Sequence, residues 1–146
     1  MQKNIFLLAC LVFNMIVTQT GYAGVSPQPA KCPSASAIAA FGIEEVLDSL
    51  CQGSWGGIVR ANQYDTSDTW TFFINKDAIC GIPAKDASEA REKILASLSS
   101  LKYFSGPEHV SESMTEDAWM CAYTNAQDYI AIAVTPPMKT NRFIKR

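Results

Sequence analysis

The sequence predicts an α+β fold in which two helices pack on one face of a four-stranded antiparallel sheet, in the order α-ββ-α-ββ. Two observations lead to this prediction. Apolar residues recur at helical spacing in two segments, and they alternate with polar residues in four shorter segments. The shorter segments form two pairs, each joined by a polar turn, as β-hairpins are. Two helices on one side of one sheet make a two-layer sandwich.

The N-terminal segment, residues 1–23, has the features of a signal peptide. Lys3 gives it a positive start, residues 5–17 are almost wholly apolar, and a small-x-small cleavage site ends at Ala23. The apolar run is shorter than the roughly 20 residues that span a bilayer. We therefore expect a secreted or periplasmic mature protein without a membrane span. A lipidated Cys10 is the alternative, but the apolar run continues well past that cysteine.

The mature chain is expected to form a single α+β domain at residues 34–137, after a flexible lead-in at 24–33. A basic tail, residues 138–146, follows it. Without the signal peptide the chain has 11 basic and 14 acidic side chains, a net charge of −3. The last eight residues hold four bases and no acid, so the domain itself is more acidic. This argues against nucleic acid as the partner.

Helix one is predicted over residues 34–50. Pro33 suits its first turn, and Ser34 or Ser36 can cap it. Gly42 is a weak point inside it. Its apolar residues recur at roughly helical spacing: Ile38, Phe41, Val46, Leu47 and Leu50.

The first hairpin is predicted to join strands at 57–64 and 69–75 through a polar turn at 65–68. Three apolar side chains alternate onto one face of its second strand: Trp70, Phe72 and Ile74.

Helix two begins at a capping box formed by Asp86 and Glu89. Lys93 and Lys102 lie towards its C-terminal end, where positive charge suits the helix dipole. Its apolar stripe consists of Ala87, Ala90, Ile94, Leu98 and Leu101, with Leu95 beside it.

A polar loop at 105–115, which contains Gly106-Pro107, precedes the second hairpin. The hairpin strands are predicted at 117–124 and 129–135, with the turn at 125–128. One face of the last strand carries Ile130, Ile132 and Val134, and Pro136-Pro137 ends the sheet because proline cannot donate to a strand ladder.

Four cysteines follow the signal peptide: Cys32, Cys51, Cys80 and Cys121. An even number in an oxidising compartment predicts two disulfides, and the absence of a CxxC motif argues against a redox role. A helix over 34–50 would hold Cys32 and Cys51 roughly 25 Å apart, whereas a disulfide needs Cα atoms within about 7 Å. Two connectivities remain: Cys51–Cys80 with Cys32–Cys121, or Cys32–Cys80 with Cys51–Cys121.

Of these two connectivities we choose the first. Strand one of the first hairpin runs away from Cys51, and strand two returns towards Cys80, so both cysteines come to the same end of the sheet. Cys32 then pairs with Cys121.

Candidate catalytic and metal-binding residues are few. His109 is the only histidine, and no GxSxG or HExxH motif accompanies it, so we expect an exposed loop residue. Asp65 and Asp68 could bind calcium, but no 12-residue EF-hand loop is present and a hairpin turn is the favoured interpretation. Three further acids cluster in sequence without a fixed separation: Glu112, Glu116 and Asp117. We predict no catalytic site, no metal site and no enzymatic activity.

Aromatic residues favour a binding or interaction module whose ligand is unknown. Three tryptophans are many for so small a domain: Trp55, Trp70 and Trp119. Most should lie in the core, although aromatic residues are also enriched at binding surfaces. On the sheet face away from the helices, Phe73 and Tyr64 would be exposed unless a partner covers them.

Four motifs together resemble a known family: Lys-Cys-Pro at 31–33, Asp-Thr-Trp-Thr-Phe at 68–72, Trp-x-Cys-x-Tyr at 119–123 and Val-Thr-Pro-Pro at 134–137. The family comprises small exported proteins of intracellular Gram-negative pathogens, some of them labelled hemin-binding. The resemblance implies hemin binding as the alternative function, with haem as the cofactor. Haem iron accepts an axial Cys, His, Met or Tyr. Cys32 is expected in a disulfide, which leaves His109, Met114 and Met120.

Overall fold

The computed structural model describes residues 26–111 and 117–139. Several sequence predictions lie outside these ranges: the signal peptide with Cys10, the acids Glu112 and Glu116, Met114, and residues 140–146 of the basic tail. The elements in chain order are α1 (Ala35–Phe41), β1 (Glu45–Asp48), β2 (Ser54–Asn62), β3 (Trp70–Asn75), β4 (Ile82–Pro83), α2 (Ala87–Leu98), β5 (Lys102–Val110), β6 (Ala118–Thr124) and β7 (Ile130–Thr135). Neither of these helices is long and apolar enough to cross a membrane.

All seven strands belong to one antiparallel sheet of order β1-β2-β3-β7-β6-β5, with β4 paired to the start of β2. The α+β class and both predicted hairpins are confirmed, as β2–β3 and β6–β7. The prediction of four strands is too low, because β1, β4 and β5 extend the sheet. The pair β3–β7 joins two three-stranded meanders.

The first helix ends much earlier than the predicted residue 50. Ser34 caps α1 by accepting a hydrogen bond from the backbone N–H of Ala37 at 3.1 Å. Gly42 follows the helix with φ at +81°, a conformation that favours glycine and that stops the helical path. Residues Glu45–Asp48 then form β1 against β2. The prediction of one helix over 34–50 is therefore wrong beyond Phe41.

The predicted polar loop at 105–115 is also wrong in its first part, because β5 continues to Val110. Pro107 lacks a backbone N–H, but among the described strands β5 is the outermost and pairs with β6 alone, and proline is tolerated in such an edge strand. Lys102 is the first residue of β5, not part of helix two, which ends at Leu98.

The core lies between the helices and one face of the sheet. Ile38 of α1 and Ile94 and Leu98 of α2 share a buried cluster with strand residues at alternate positions: Val59, Trp70, Phe72, Ile74, Cys121, Tyr123, Ala131 and Ala133. The predicted buried face of β3 is thus confirmed. We call the face that carries these strand residues the inner face, and the alternating positions the outer face.

Close packing of α2 on the inner face depends on Gly57 of β2. A Cβ atom at Gly57 would lie 3.2 Å from two side-chain carbons of Ile94 and 2.9 Å from Ile74. Since real Cβ contacts are rarely so short, a larger residue here would push α2 off the sheet.

The two disulfides are Cys32–Cys121 and Cys51–Cys80, with Cα separations of 5.9 and 5.1 Å. These are the pairs chosen above from the strand directions. The argument that excluded Cys32–Cys51 fails, however, because the rigid helix on which it relied ends at Phe41.

The segment before α1, which we expected to be a flexible lead-in, is attached to β6 over the part that the structure describes. Besides the Cys32–Cys121 bond, the indole N–H of Trp119 donates to the carbonyl of Ser26 at 2.8 Å. The hydroxyl of Tyr123 donates to the carbonyl of Pro33 at 2.6 Å.

Candidate functional site

Strand β7 presents its larger side chains to the outer face. Its sequence alternates Ile130, Ile132 and Val134 with Ala131 and Ala133, and the alanines are the residues that belong to the core. The pairing of β7 with β3 and β6 explains why the alanines face the core. On the inner face, Ala133 lies between Phe72 and Cys121, and Ala131 lies between Ile74 and Tyr123, so these larger neighbours fill the space above β7.

The outer face is covered at one end of β7 and open at the other. Val134, at the covered end, is 3% exposed, whereas Ile130 is 43% exposed. Ile132 between them is half-buried. Aliphatic side chains left in water at the Ile130 end lose the free energy that their burial would give, about 25 cal/mol per Å² of apolar area. This end of the face is therefore suited to contact with a partner.

A shallow open groove of about 320 Å³ lies at the open end, along the β6–β7 hairpin. Its volume is at the lower limit of the roughly 300–1,000 Å³ typical of small-ligand pockets. Ala122, Ile130 and Ile132 contribute apolar side chains from the outer face, and Thr124 contributes a hydroxyl. The groove is suited to covering one side of a bound group, and it would not enclose that group.

The turn at the end of the groove is held rigid by Asn125. Its side-chain Oδ1 accepts hydrogen bonds from the backbone N–H groups of Gln127 and Tyr129, both at 3.1 Å. Its Nδ2 donates to the carbonyl of Tyr129 at 2.9 Å. This is the Asx type of turn, which fixes the backbone through a side chain. One end of the groove is therefore preformed.

Strand β5, which adjoins the groove, carries an exposed aromatic residue and a basic residue. On β5, Phe104 is 68% exposed and Lys102 lies opposite Thr124 of β6. The ring of Tyr129 packs against the core, and the ammonium of Lys76 lies 5.5 Å from its centroid, within cation–π range. The groove thus has an apolar centre, an acidic residue, Asp128, in its own lining, and a basic residue, Lys102, on the adjoining strand.

The edge strand β5 itself is poorly suited to pairing with another strand. Its register against β6 shifts twice, between Tyr103 and Ser105 and again between Ser105 and Glu108. Pro107 and the charged Lys102 lie on the same strand. Bulges, proline and charge are the features by which proteins prevent edge-to-edge association. Contact through the outer face is consequently favoured over addition of a strand to β5.

His109 lies on β5 beside the pair Asp117 and Trp119. Its Nε2 is 3.6 Å from Asp117 Oδ1, and its ring is 5.1 Å from the Trp119 ring. The side chain is about one-third exposed, at 33%. Within residues 26–111 and 117–139, no hydroxyl or thiol hydrogen-bonds to His109, so the described surroundings supply an acid but no nucleophile.

The candidate haem ligands are not brought together. His109 is the register partner of Trp119, and Met120 is the next residue along β6, so His109 and Met120 point to opposite faces of the sheet. Cys32 is joined to Cys121. One iron cannot be bound by these residues jointly. The tyrosine at the groove, Tyr129, is a haem-ligand type that our sequence reasoning did not consider.

The aspartates of the first hairpin turn serve the fold. Asp65 accepts a hydrogen bond from the backbone N–H of Ser34 at 2.9 Å and lies 3.4 Å from the Lys31 ammonium. The Ser34 hydrogen bond holds the pKa of Asp65 below its usual value. The backbone carbonyl of Asp68 accepts from the Thr66 hydroxyl. Among the described residues, no three His, Cys, Asp or Glu side chains converge as metal ligands would.

The predictions of where the aromatic side chains lie are partly wrong. Trp70 is fully buried, and Trp55 and Trp119 are half-buried. Phe73 lies on the outer face and is half-buried. Tyr64 does not lie on that face. It packs against the core, its ring centroid is 5.9 Å from that of Phe41, and burial raises the pKa of its hydroxyl.

No protein-family model matches the chain, and comparison with curated proteins and with solved structures finds no match. The assignment of this surface as a candidate site is therefore based on its geometry alone. Sequence reasoning missed Phe104 because β5 was not predicted. It did find Ile130 on one face of its strand, but the alternation alone does not tell which face meets the helices.

Proposed function

We propose that the chain is a disulfide-stabilised binding module that acts in the periplasm or outside the cell, and that its partner contacts the outer face beside the β6–β7 hairpin. In this proposal the helices form one layer, the sheet forms the second, and the exposed side of the sheet is the working surface. The observation that carries it is the orientation of β7, which directs its isoleucines to the outer face and leaves Ile130 43% exposed.

The compartment is supported by the disulfides and by the N-terminal sequence. The structure contains two disulfides. Disulfides persist in oxidising compartments and are rare in the cytosol. The tripartite start of the chain has the form of an export signal. Mass spectrometry of the exported protein should find Gly24 at its N-terminus, and an intact Met1 or a lipidated Cys10 would refute export by this route.

The surface is tested by placing a charge on it. Ile130→Glu should lower recovery of the partner by about tenfold or more, because an apolar contact would be replaced by a desolvated carboxylate. The measurement is quantitative mass spectrometry of proteins that co-purify with the tagged protein from the cells that make it. Ile79→Glu is the matched control, since Ile79 is also an exposed isoleucine, at 68%, and lies outside this face. Equal recovery with both variants would contradict the proposal.

Hemin binding is the second candidate, and one observation favours it: Tyr129 is among the residues that line an apolar groove, although its ring also packs against the core, and a tyrosine oxygen can bind haem iron. The fit is partial, because the groove is open and would cover only part of a porphyrin. Hemin titration of the oxidised protein, followed by its absorption spectrum, should give a saturable shift that Tyr129→Phe abolishes. A spectrum equal to that of free hemin would exclude this function.

A further inference from the structure

We propose that the partner at the open end of the outer face is a second copy of the chain, bound face to face about a two-fold axis. In this dimer, Lys102 of each copy pairs with Asp128 of the other. The inference depends on the function proposed above, because it names the partner of the same surface. It goes further by assigning the symmetry of the contact and the two side chains that align the copies.

Two side chains of opposite charge at the groove are not paired within the molecule. Asp128 is an exposed residue of the groove lining, and Lys102 is exposed on β5 opposite Thr124 of β6. Within residues 26–111 and 117–139, neither side chain forms an ion pair or a side-chain hydrogen bond. Both charges are therefore available to a partner, and that partner must offer one acid and one base.

The strand order places these two charges on opposite sides of β6. Lys102 lies on β5, and Asp128 lies two residues before β7 begins, on the other side of β6. A two-fold axis parallel to β6, midway between two stacked sheets, exchanges these sides, so that β5 of one copy faces β7 of the other. Each lysine then approaches the aspartate of the other copy. This self-complementarity is what a two-fold contact between identical surfaces requires.

The side chains along the proposed axis are small enough for two sheets to stack. On the outer face of β6, Ala122 and Thr124 lie beside the groove, and each would meet its own counterpart. Packed sheets lie about 10 Å apart, with side chains from both filling the space. Ile130, which is 43% exposed, and the half-buried Ile132 project from β7 and would fill this space. Apolar burial thus accompanies the two ion pairs.

The aspartate is held in position before a contact forms. Its backbone N–H donates to the carbonyl of Asn125 at 3.2 Å, within the turn that the Asn125 side chain also fixes. A preformed turn loses little conformational freedom when it binds, so less of the interaction energy is spent on ordering. The contact covers a small surface, and we therefore expect a weak dimer with a dissociation constant in the micromolar range.

The test is sedimentation equilibrium of the oxidised exported protein and of two charge-reversed variants. We expect Lys102→Glu and Asp128→Lys each to raise the dissociation constant of the dimer by about tenfold or more, because each variant places like charges at both symmetric contacts. An equimolar mixture of the two variants should associate as the unmodified protein does, since every contact between unlike copies again joins an acid and a base. Glu92→Lys, at an exposed position on α2, is the matched control and should leave the dissociation constant unchanged.

A protein that stays monomeric up to about 1 mM would overturn the inference. A mixture of Lys102→Glu and Asp128→Lys that associates no better than either variant alone would overturn the ion pairs and the symmetry with them. The proposed function can fail separately, because a photo-crosslinker at position 130 reports on any partner. An adduct of twice the chain mass supports the second copy, whereas an adduct with a different protein keeps the surface and excludes the dimer.

Discussion

Single side chains at the helix and turn boundaries are responsible for much of the local structure. Asp86 accepts a hydrogen bond from the backbone N–H of Glu89 at 2.9 Å, and the Glu89 carboxylate accepts from the backbone N–H of Lys85 at 3.0 Å. The predicted capping box is present, except that Glu89 reaches one residue further back than the cap itself. Asp86→Ala should lower the free energy of unfolding by about 1 kcal/mol. Denaturant unfolding measures this, and a neutral substitution would mean that the cap does not stabilise α2.

The stability of the fold at low pH also depends on single carboxyl groups. The pKa of Asp65 is lowered mainly by the Ser34 hydrogen bond, and the pKa of Asp77 is lowered by the backbone N–H groups of Cys80 and Ile79. A carboxyl whose pKa is lower in the folded state stabilises the fold above its unfolded pKa of about 3.9 and loses this contribution as the pH falls through its folded pKa. As the pH falls below the unfolded pKa of about 3.9, Asp65→Asn should therefore lose less stability than the unmodified protein. Equal loss would contradict the assignment.

At the scale of one element, α2 offers two leucines with different environments. Leu98 is 2% exposed in the core, whereas Leu95 is 41% exposed on the same helix. Leu98→Ala should cost about 2–5 kcal/mol, because it removes buried contacts and leaves a cavity. Leu95→Ala should cost far less. Thermal or denaturant unfolding of the two variants compares them directly, and similar losses would show that the apolar stripe does not face the core.

The sequence predicted elements well where local pattern and local geometry agree. Both hairpins and α2 were found because alternation, turn residues and the cap all indicated the same structure. The strand β1 was missed because Val46 and Leu47 also fit a helical stripe, and only pairing with β2, a non-local contact, decides between the two. The edge strand β5 was missed because Pro107 suggests a loop, although an outermost strand tolerates it.

The candidate surface was less predictable than the fold. Alternation in β7 separates isoleucine from alanine, but the inner space is occupied by Phe72 and Tyr123, which come from distant parts of the chain. Hydrophobicity alone would place the isoleucines inside. Which face a strand buries is determined by the volume that its neighbours already fill.

At the scale of the whole molecule, the two disulfides constrain the chain to different extents. Cys32–Cys121 closes a separation of 89 residues and Cys51–Cys80 one of 29. In the chain-entropy account, the longer loop contributes about 4–5 kcal/mol and the shorter about 3–4 kcal/mol. Replacing both members of the first pair by serine should therefore destabilise the protein by about 1 kcal/mol more than replacing the second pair. Equal or reversed losses in denaturant unfolding would show that local contacts outweigh loop length.

The central claim, that a partner contacts the outer face beside the β6–β7 hairpin, is tested most directly by photo-crosslinking in the cells that export the protein. A p-benzoylphenylalanine is introduced at position 130, which lines the groove and is 43% exposed, and separately at position 95 on α2, which is 41% exposed. The account predicts a covalent adduct of defined mass from position 130 and none from position 95. Adducts from position 95 alone, or from neither position while the partner still co-purifies, would contradict it.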